Sequence, residues 1–234
     1  MDAGTFSAAV DSALRGFTAW LYPVRDVLNA VQNPQATRPV HPDRLAVLLH
    51  TVHHPAAGYW AGVRDVGAAL LTAGVTRAEV ARLAGVGERT WDDLDAGRWP
   101  DVPEPPAFSA QPRSERFATA AVDTGTVAAA RILAAIWTAY APLNALADTP
   151  TAAALAEALH ALRTPPHTLY SGTSLGLVSL RLAGASNSDL APLLGVSRQT
   201  IAARVSPYPA ARATRDRDIR RDPDTSIWYA KDDH

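Results

Sequence analysis

The chain contains no cysteine, which excludes disulfides and thiolate metal sites and is compatible with a reducing, cytoplasmic setting. Lysine is almost absent: Lys231 stands alone, so nearly all of the 22 basic side chains are arginine. Scarce lysine with abundant Ala, Arg, Val and Pro is the composition a GC-rich genome encodes, such as that of an actinobacterium or its phage. Neither charge sign is in large excess, with a formal net charge of −1. That excludes the broadly basic surface of a non-specific nucleic-acid coat, so any nucleic-acid contact must come from a local patch. No long apolar run is present. The best stretch, Val127 to Trp137, is interrupted by Arg131 and is too short to cross a bilayer. Met1 to Phe17 lacks the basic start and apolar centre of a secretory signal. What remains is 47% hydrophobic residues over 234 positions, enough for a sizeable core and for one large or two small domains.

Sustained strand-like alternation is missing, and the periodicity that exists is helical. Phe6 to Tyr22 places Val10, Ala13, Leu14, Phe17 and Leu21 at threes and fours until Pro23 interrupts it. Val24 to Val31 reads as a short helix, and Asn33 to Pro42 as a loop with three prolines. Asp43 to His53 aligns Leu45, Leu48, Leu49 and Val52 and ends at Pro55. Tyr59 to Ala73 is a further helix stopped by Gly74. The fold class predicted is all-α.

The most informative stretch is Leu180 to Val205, LRLAGASNSDLAPLLGVSRQTIAARV. It reads as a helix end, a short helix, a tight turn and a second short helix. Ser186, with Asp189 three residues on, forms an acidic capping box. Leu190, Leu193 and Leu194 make an apolar face, and Ala191 is small enough to admit a neighbouring helix. Gly195 falls where the backbone must turn left-handed. Val196 fills the corner, Ser197 caps the next helix, and Ile201 and Val205 are its buried side. Pro192 lies inside the first short helix and predicts a later start or a kink there.

This spacing of small, apolar and capping residues resembles the helix-turn-helix of bacterial and phage DNA-binding proteins. The resemblance implies that the second helix lies in a major groove with its N-terminal residues at base edges. Ser197, Arg198, Gln199, Thr200, Ala202 and Ala203 are then the DNA-facing positions. Arginine suits a guanine edge, glutamine an adenine edge, and the alanines allow close approach to a thymine methyl. Arg204 would meet a phosphate.

Leu70 to Leu94, LLTAGVTRAEVARLAGVGERTWDDL, repeats the pattern at a constant offset of about 110 residues. Gly74 matches Gly184, Thr76 matches Ser186, Glu79 matches Asp189, Ala81 matches Ala191, and Gly85-Val86 matches Gly195-Val196. The ungapped match extends back through Gly62 and Gly172 to His50 and His160. With a small insertion, Leu28-Asn29-Ala30 matches Leu143-Asn144-Ala145. The pattern predicts an internal duplication, against the competing reading of two unrelated motifs of one class. The first helical repeat spans 1–98 with its helix-turn-helix at 76–95. A Pro-rich linker follows at 99–115. The second repeat spans 116–205 with its helix-turn-helix at 186–205, and 206–234 is an Arg-rich tail.

The copies differ in charge. The second helix of the first copy offers Gly87, Glu88, Arg89, Asp92 and Asp93, with Asp95 just after, while Trp91 takes the buried place of Ile201. Acidic residues oppose the dominant phosphate term, and Arg89 alone offsets them locally. The first copy is therefore expected to serve packing or a protein contact, unless Arg77, Arg82 and Arg89 supply enough phosphate contacts for both copies to bind. In the tail, Arg212, Arg215, Arg217, Arg220 and Arg221 read in three ways. They form an arm that tracks phosphates or enters a minor groove, a solvated run balanced by Asp216, Asp218 and Asp222, or a strap docked on Asp92 and Asp93. Ile227, Trp228 and Tyr229 are expected to pack on the body or on a partner.

His50, His53 and His54 have metal-like spacing, but zinc needs about four ligands and no others are close in sequence. A helix-end cluster favourable to the helix dipole is the simpler reading. A phosphate loop, a dinucleotide fingerprint and a nucleophile elbow are all missing, so no catalytic residue, metal or cofactor is expected. The residues predict a cytoplasmic, sequence-specific double-stranded DNA-binding protein, most simply a transcriptional regulator of repressor type, and neither an enzyme nor a membrane protein. A phage or plasmid accessory factor for recombination, partition or replication fits the same residues. So does an interaction module that meets the transcription machinery, or a second copy of itself, through the acidic 88–95 helix.

Overall fold

The computed structural model describes residues 3–32, 38–146, 151–163 and 167–230. Half of the expected 33–42 loop and Lys231 lie outside them. Helix makes up 72% of the molecule and strand 3%, so the class is all-α.

Helix α1 (Ala3–Leu21) ends just before Pro23, which sits in a 3-10 turn leading into α2 (Arg25–Gln32). Helix α3 (Pro42–His53) opens on proline, whose missing N–H would have no partner in the first turn anyway. Then come α4 (Ala57–Thr72), α5 (Arg77–Ala84) and α6 (Glu88–Asp95). After the non-helical linker follow α7 (Glu115–Ala145), α8 (Ala152–Arg163), α9 (His167–Leu182), α10 (Asn187–Leu194) and α11 (Arg198–Val205). Helices α3, α4, α5 and α6 begin and end 110 residues before α8, α9, α10 and α11 respectively.

Two compact units are present, and they do not follow the predicted repeats 1–98 and 116–205. The first comprises Met1–Tyr22, Pro55–Val102 and Ala135–Pro166; the second comprises Pro23–His54, Pro103–Ala134 and His167–His234. The physical reason lies in α3 and α8. In the second unit α3 packs on α9 and α10; in the first, α8 packs on α4 and α5. The two helices bury the same spacing, Leu45, Leu48 and Leu49 in one and Leu155, Ala158 and Leu159 in the other.

In the first unit α1 crosses α4 where both are small. A Cβ on Gly62 would lie 2.8 Å from the Ala13 Cα. Beside this crossing the Phe17 ring meets Tyr59 and Tyr140 edge-on at 5.0 and 4.6 Å. Trp91 of α6 is fully buried with its ring on Gly67 of α4. The corresponding positions of the second unit hold Ile201 and Leu177, also fully buried. The bulk of one large ring beside no side chain is thus redistributed over two aliphatic ones.

Helix α7 outruns the Val127 to Trp137 stretch, and by length and composition alone it could cross a membrane. It carries Asp123 and Arg131, and buries Ala120, Ala121, Ala128, Ala129 and Ile132 in protein. The tail adds one short hairpin to the all-α class. Strands β1 (Ile219–Arg221) and β2 (Trp228–Ala230) pair antiparallel, with Arg220 opposite Tyr229. Their turn is set by Asp222, whose carboxylate accepts from the Asp224 and Thr225 N–H groups at 2.8 and 3.0 Å. Three-residue strands are too short for alternation to reveal.

Exchanging the first unit's Trp91/Gly67 pair for the second unit's Ile201/Leu177 pair tests this packing. Trp91→Ile alone should cost roughly 2–4 kcal/mol as a cavity, and Gly67→Leu alone should prevent native packing against the indole. The double variant reproduces the pair that the second unit packs and also removes the Trp91 Nε1, which has no hydrogen-bond partner among the described residues. It should return to within about 1.5 kcal/mol of the parent in chemical denaturation.

Candidate nucleic-acid interface

Helices α10 and α11 meet at a tight corner. The Ser186 Oγ accepts from the Asp189 N–H at 3.2 Å, and the Asp189 carboxylate accepts from the Ser186 N–H at 2.7 Å. These bonds hold the Asp189 carboxyl below the usual carboxylate range. Gly195 turns left-handed with φ 62°, and the N–H of Val196 returns to the Ala191 carbonyl at 3.1 Å. The helix runs through Pro192 with its cap at Ser186 intact, so the later start expected from the proline does not occur. Ser197 caps α11 by accepting from the Thr200 N–H at 3.2 Å. Leu190, Leu193, Leu194, Ile201 and Val205 are buried.

On the opposite side of α11, Arg198, Gln199, Ala202 and Ala203 are exposed together. No ion pair occupies Arg198 among the described residues. Ser197 and Thr200 are exposed too, but their hydroxyls bond to each other at 3.0 Å and serve the cap. Arg204 is turned away from the expected outward path. It is half-buried, with its guanidinium 5.2 Å above the ring of Tyr170, an exposed aromatic on α9 that the sequence did not single out. Only the aligned crossing of α9 and α11 brings these two together.

The tail arginines do not form a free arm. Arg212 ends a 3-10 turn, Pro209–Arg212, that packs on α9. Arg215 is exposed, and Arg217 lies 4.0 Å from Asp218. Arg217 and Arg220 join Arg116, Ser114 and Trp228 around an open cavity of about 910 Å³ at the start of α7. Arg221 and the Trp228 Nε1 both engage Asp123, at 2.9 and 3.1 Å, and Arg116 donates to the Ile219 carbonyl at 2.8 Å. These bonds fasten the segment to α7, an attachment that charge alone does not show. Trp228 is packed as expected, whereas Tyr229 is exposed.

The first corner repeats the backbone design. Thr76 caps α5 by accepting from the Glu79 N–H at 3.3 Å, and Gly85 turns left-handed with φ 71°. Gly87 stands where Ser197 does and supplies no side-chain cap. Arg89 is exposed, but it is not the sole offset to the acids. Arg77 pairs with Asp92 and, at 2.9 Å, with Asp95; Arg98 pairs with Asp93 at 2.6 Å; and Arg82 pairs with Glu79 at 2.6 Å. Exposed pairs contribute little stability, but Arg77 and Arg98 offset two of the three aspartate charges that made α6 look acidic. Only the helix corner carries Arg77 to residues 15 and 18 positions away.

Three histidines lie beneath the second corner. The His54 Nε2 is 3.3 Å from the Pro192 carbonyl, and a Cβ on Gly195 would stand 2.9 Å from the His54 Cε1. The His53 Nε2 is 3.3 Å from the Thr173 Oγ1, and His50 stacks on His54 with ring centroids 4.5 Å apart. Burial foremost, then Arg204 and His54, pushes His53 down to about 4; burial and His54 also lower His50. Both are neutral at pH 7 rather than cations serving the helix dipole, because desolvation outweighs a dipole term of about 0.3–1 kcal/mol.

No protein-family model, curated protein or solved structure matches the chain.

The depressed histidines give stability a definite pH dependence. The unfolded chain takes up protons near pH 6.5 where the folded chain does not, so their contribution is complete above about pH 6.5 and declines as pH falls towards 4. Denaturation midpoints measured between about pH 7 and 5, above most carboxylate titration, should fall. His53→Gln should flatten that decline while keeping a partner for Thr173.

Proposed function

We propose that the chain is a sequence-specific double-stranded DNA-binding protein, built as two duplicated helical repeats that each carry a helix-turn-helix. Helix α11 is its reading helix, entering a major groove. One observation carries this reading. The corner at Gly195 presents Arg198, which has no ion pair among the described residues, and Gln199 beside the small Ala202 and Ala203, on a helix without a carboxylate. Arginine and glutamine are side chains that make paired hydrogen bonds to guanine and adenine edges. The matched boundaries of α3–α6 and α8–α11 support the duplication.

Helix α6 has the weaker claim to bases, since Asp92, Asp93 and Asp95 are held by arginines and only Arg89 faces outward with positive charge. It acts as a supporting surface. With one discriminating helix and one near-neutral one, the bound sequence is asymmetric, and the simplest physiological role is a cytoplasmic transcriptional regulator of repressor type. Arg212, Arg215 and Arg217 add phosphate affinity without sequence choice.

Selection from a random duplex pool should enrich one asymmetric sequence. Arg198→Ala and Gln199→Ala should each remove about 1–3 kcal/mol of discrimination at a single position of it. Arg212→Ala should weaken enriched and random DNA alike and lower the salt dependence by about one counterion. A pool that yields no enriched sequence at low salt would refute the proposal.

A further inference from the structure

The two halves of the chain are interlaced. Pro23–His54, from the first half, belongs to the second unit, and Ala135–Pro166, from the second half, belongs to the first. On the duplication proposed above, α3 and α8 are counterparts, and each has left its own repeat. We propose that this exchange is a built interface: the chain is a fused, reciprocally swapped dimer of repeats, with α3 shaped for the second repeat and α8 for the first.

The fit is specific in volume. Leu49 of α3 fills the space left by Gly176 of α9, where a Cβ would lie 3.1 and 3.2 Å from its two Cδ atoms. The counterpart of Gly176 in the first unit is Val66, itself buried. The counterparts of Leu48 and Leu49 are Ala158 and Leu159. Over these three positions the second unit thus sets two leucines on the donated helix and glycine on the receiving one, whereas the first sets alanine, leucine and valine. The side-chain carbon total is the same and the division is opposite. Seating α3 on α4 would crowd Leu48 and Leu49 against Val66. Seating α8 on α9 would bring Leu159 over Gly176 with Ala158 in the place of Leu48, leaving that layer short of side-chain volume. Overpacking and voids are both penalised in a close-packed core.

The polar contacts discriminate in the same direction. The His53 Nε2 meets the Thr173 Oγ1 at 3.3 Å. The position corresponding to Thr173 in the first unit is Val63, which is buried and has no group to offer an imidazole. An unexchanged α3 would therefore lose that partner while keeping His53 in an apolar setting. Because the exchanged segments are internal to the chain, the halves cannot part without unfolding both units.

The test uses the full chain with a specific protease site inserted after Asp101, in the exposed linker, and cut after folding. The two fragments should co-elute in size-exclusion chromatography and separate only in denaturant. Leu49→Cys with Gly176→Cys supplies the sole cysteines of the molecule. A Cβ at 176 stands 3.5 Å from the Leu49 Cγ, within disulfide reach. Oxidation should join the cut fragments on a non-reducing gel. Leu49→Cys with Val66→Cys, a pair that unexchanged packing would bring together, should remain reduced. Separation of the cut fragments in native buffer, or a 49–66 bond in place of the 49–176 bond, would overturn the exchange. If the cysteine variants do not fold, cutting the otherwise unaltered chain decides alone. Sequence selection on the same protein is an independent readout. Joined fragments that select no DNA refute the reading of α11 and leave the exchange standing, while separated fragments with intact selection do the reverse.

Discussion

Eight residues of helix do not persist alone in water, because nucleation costs more than so few hydrogen bonds return. Helices α5, α6, α10 and α11 are each that long, so both corners depend on burial of their inner faces. Trp91 on Gly67 and the buried Ile201 and Leu177 are two solutions to that requirement. The capping bonds at Thr76, Ser186 and Ser197 satisfy the helix starts, and Gly85 and Gly195 close the turns. None of them would hold a corner in place without the long helices beneath. The surface of α11 is therefore only as well positioned as its packing on α9 and, through α10, on α3.

That dependence gives α3 an importance beyond its own sequence. It ends in His50, His53 and His54: His54 lies against Pro192 and Gly195, His53 lies against Thr173, and burial keeps His50 and His53 neutral. The same helix lies by chain order in the first half of the chain and by packing in the second unit. The outward face of α11 rests on α9 and α10, and the histidines of α3 lie against those same two helices.

Charge had a different meaning once the chain was folded. Arg77 and Arg98 offset two of the three charges on Asp92, Asp93 and Asp95, so α6 is less acidic than its sequence reads, and it lacks the outward arginine–glutamine pair of α11. The segment after residue 206 is fastened at the start of α7 by Ser114 to Asp216, Arg116 to the Ile219 carbonyl and Arg221 to Asp123. A run of like charges is read from composition, but its field depends on partners that lie far away along the chain.

The sequence by itself determined the helical class, the short-helix pairs, their caps and left-handed glycines, the buried Leu190, Leu193, Leu194, Ile201, Val205 and Trp91, and the exposure of Arg198 and Gln199. These follow from interactions within about one helical turn, where spacing along the chain is spacing in space. Only the tertiary structure decided that α3 and α8 change units, that Arg204 lies on Tyr170, that Arg77 holds Asp92 and Asp95, and that the tail folds into a hairpin on α7. Each of those depends on residues brought together across tens to a hundred positions. Helices α3 and α8 present nearly the same apolar stripe to any partner. Periodicity could say that each must be buried, but only the difference in size between Gly176 and Val66 could say where.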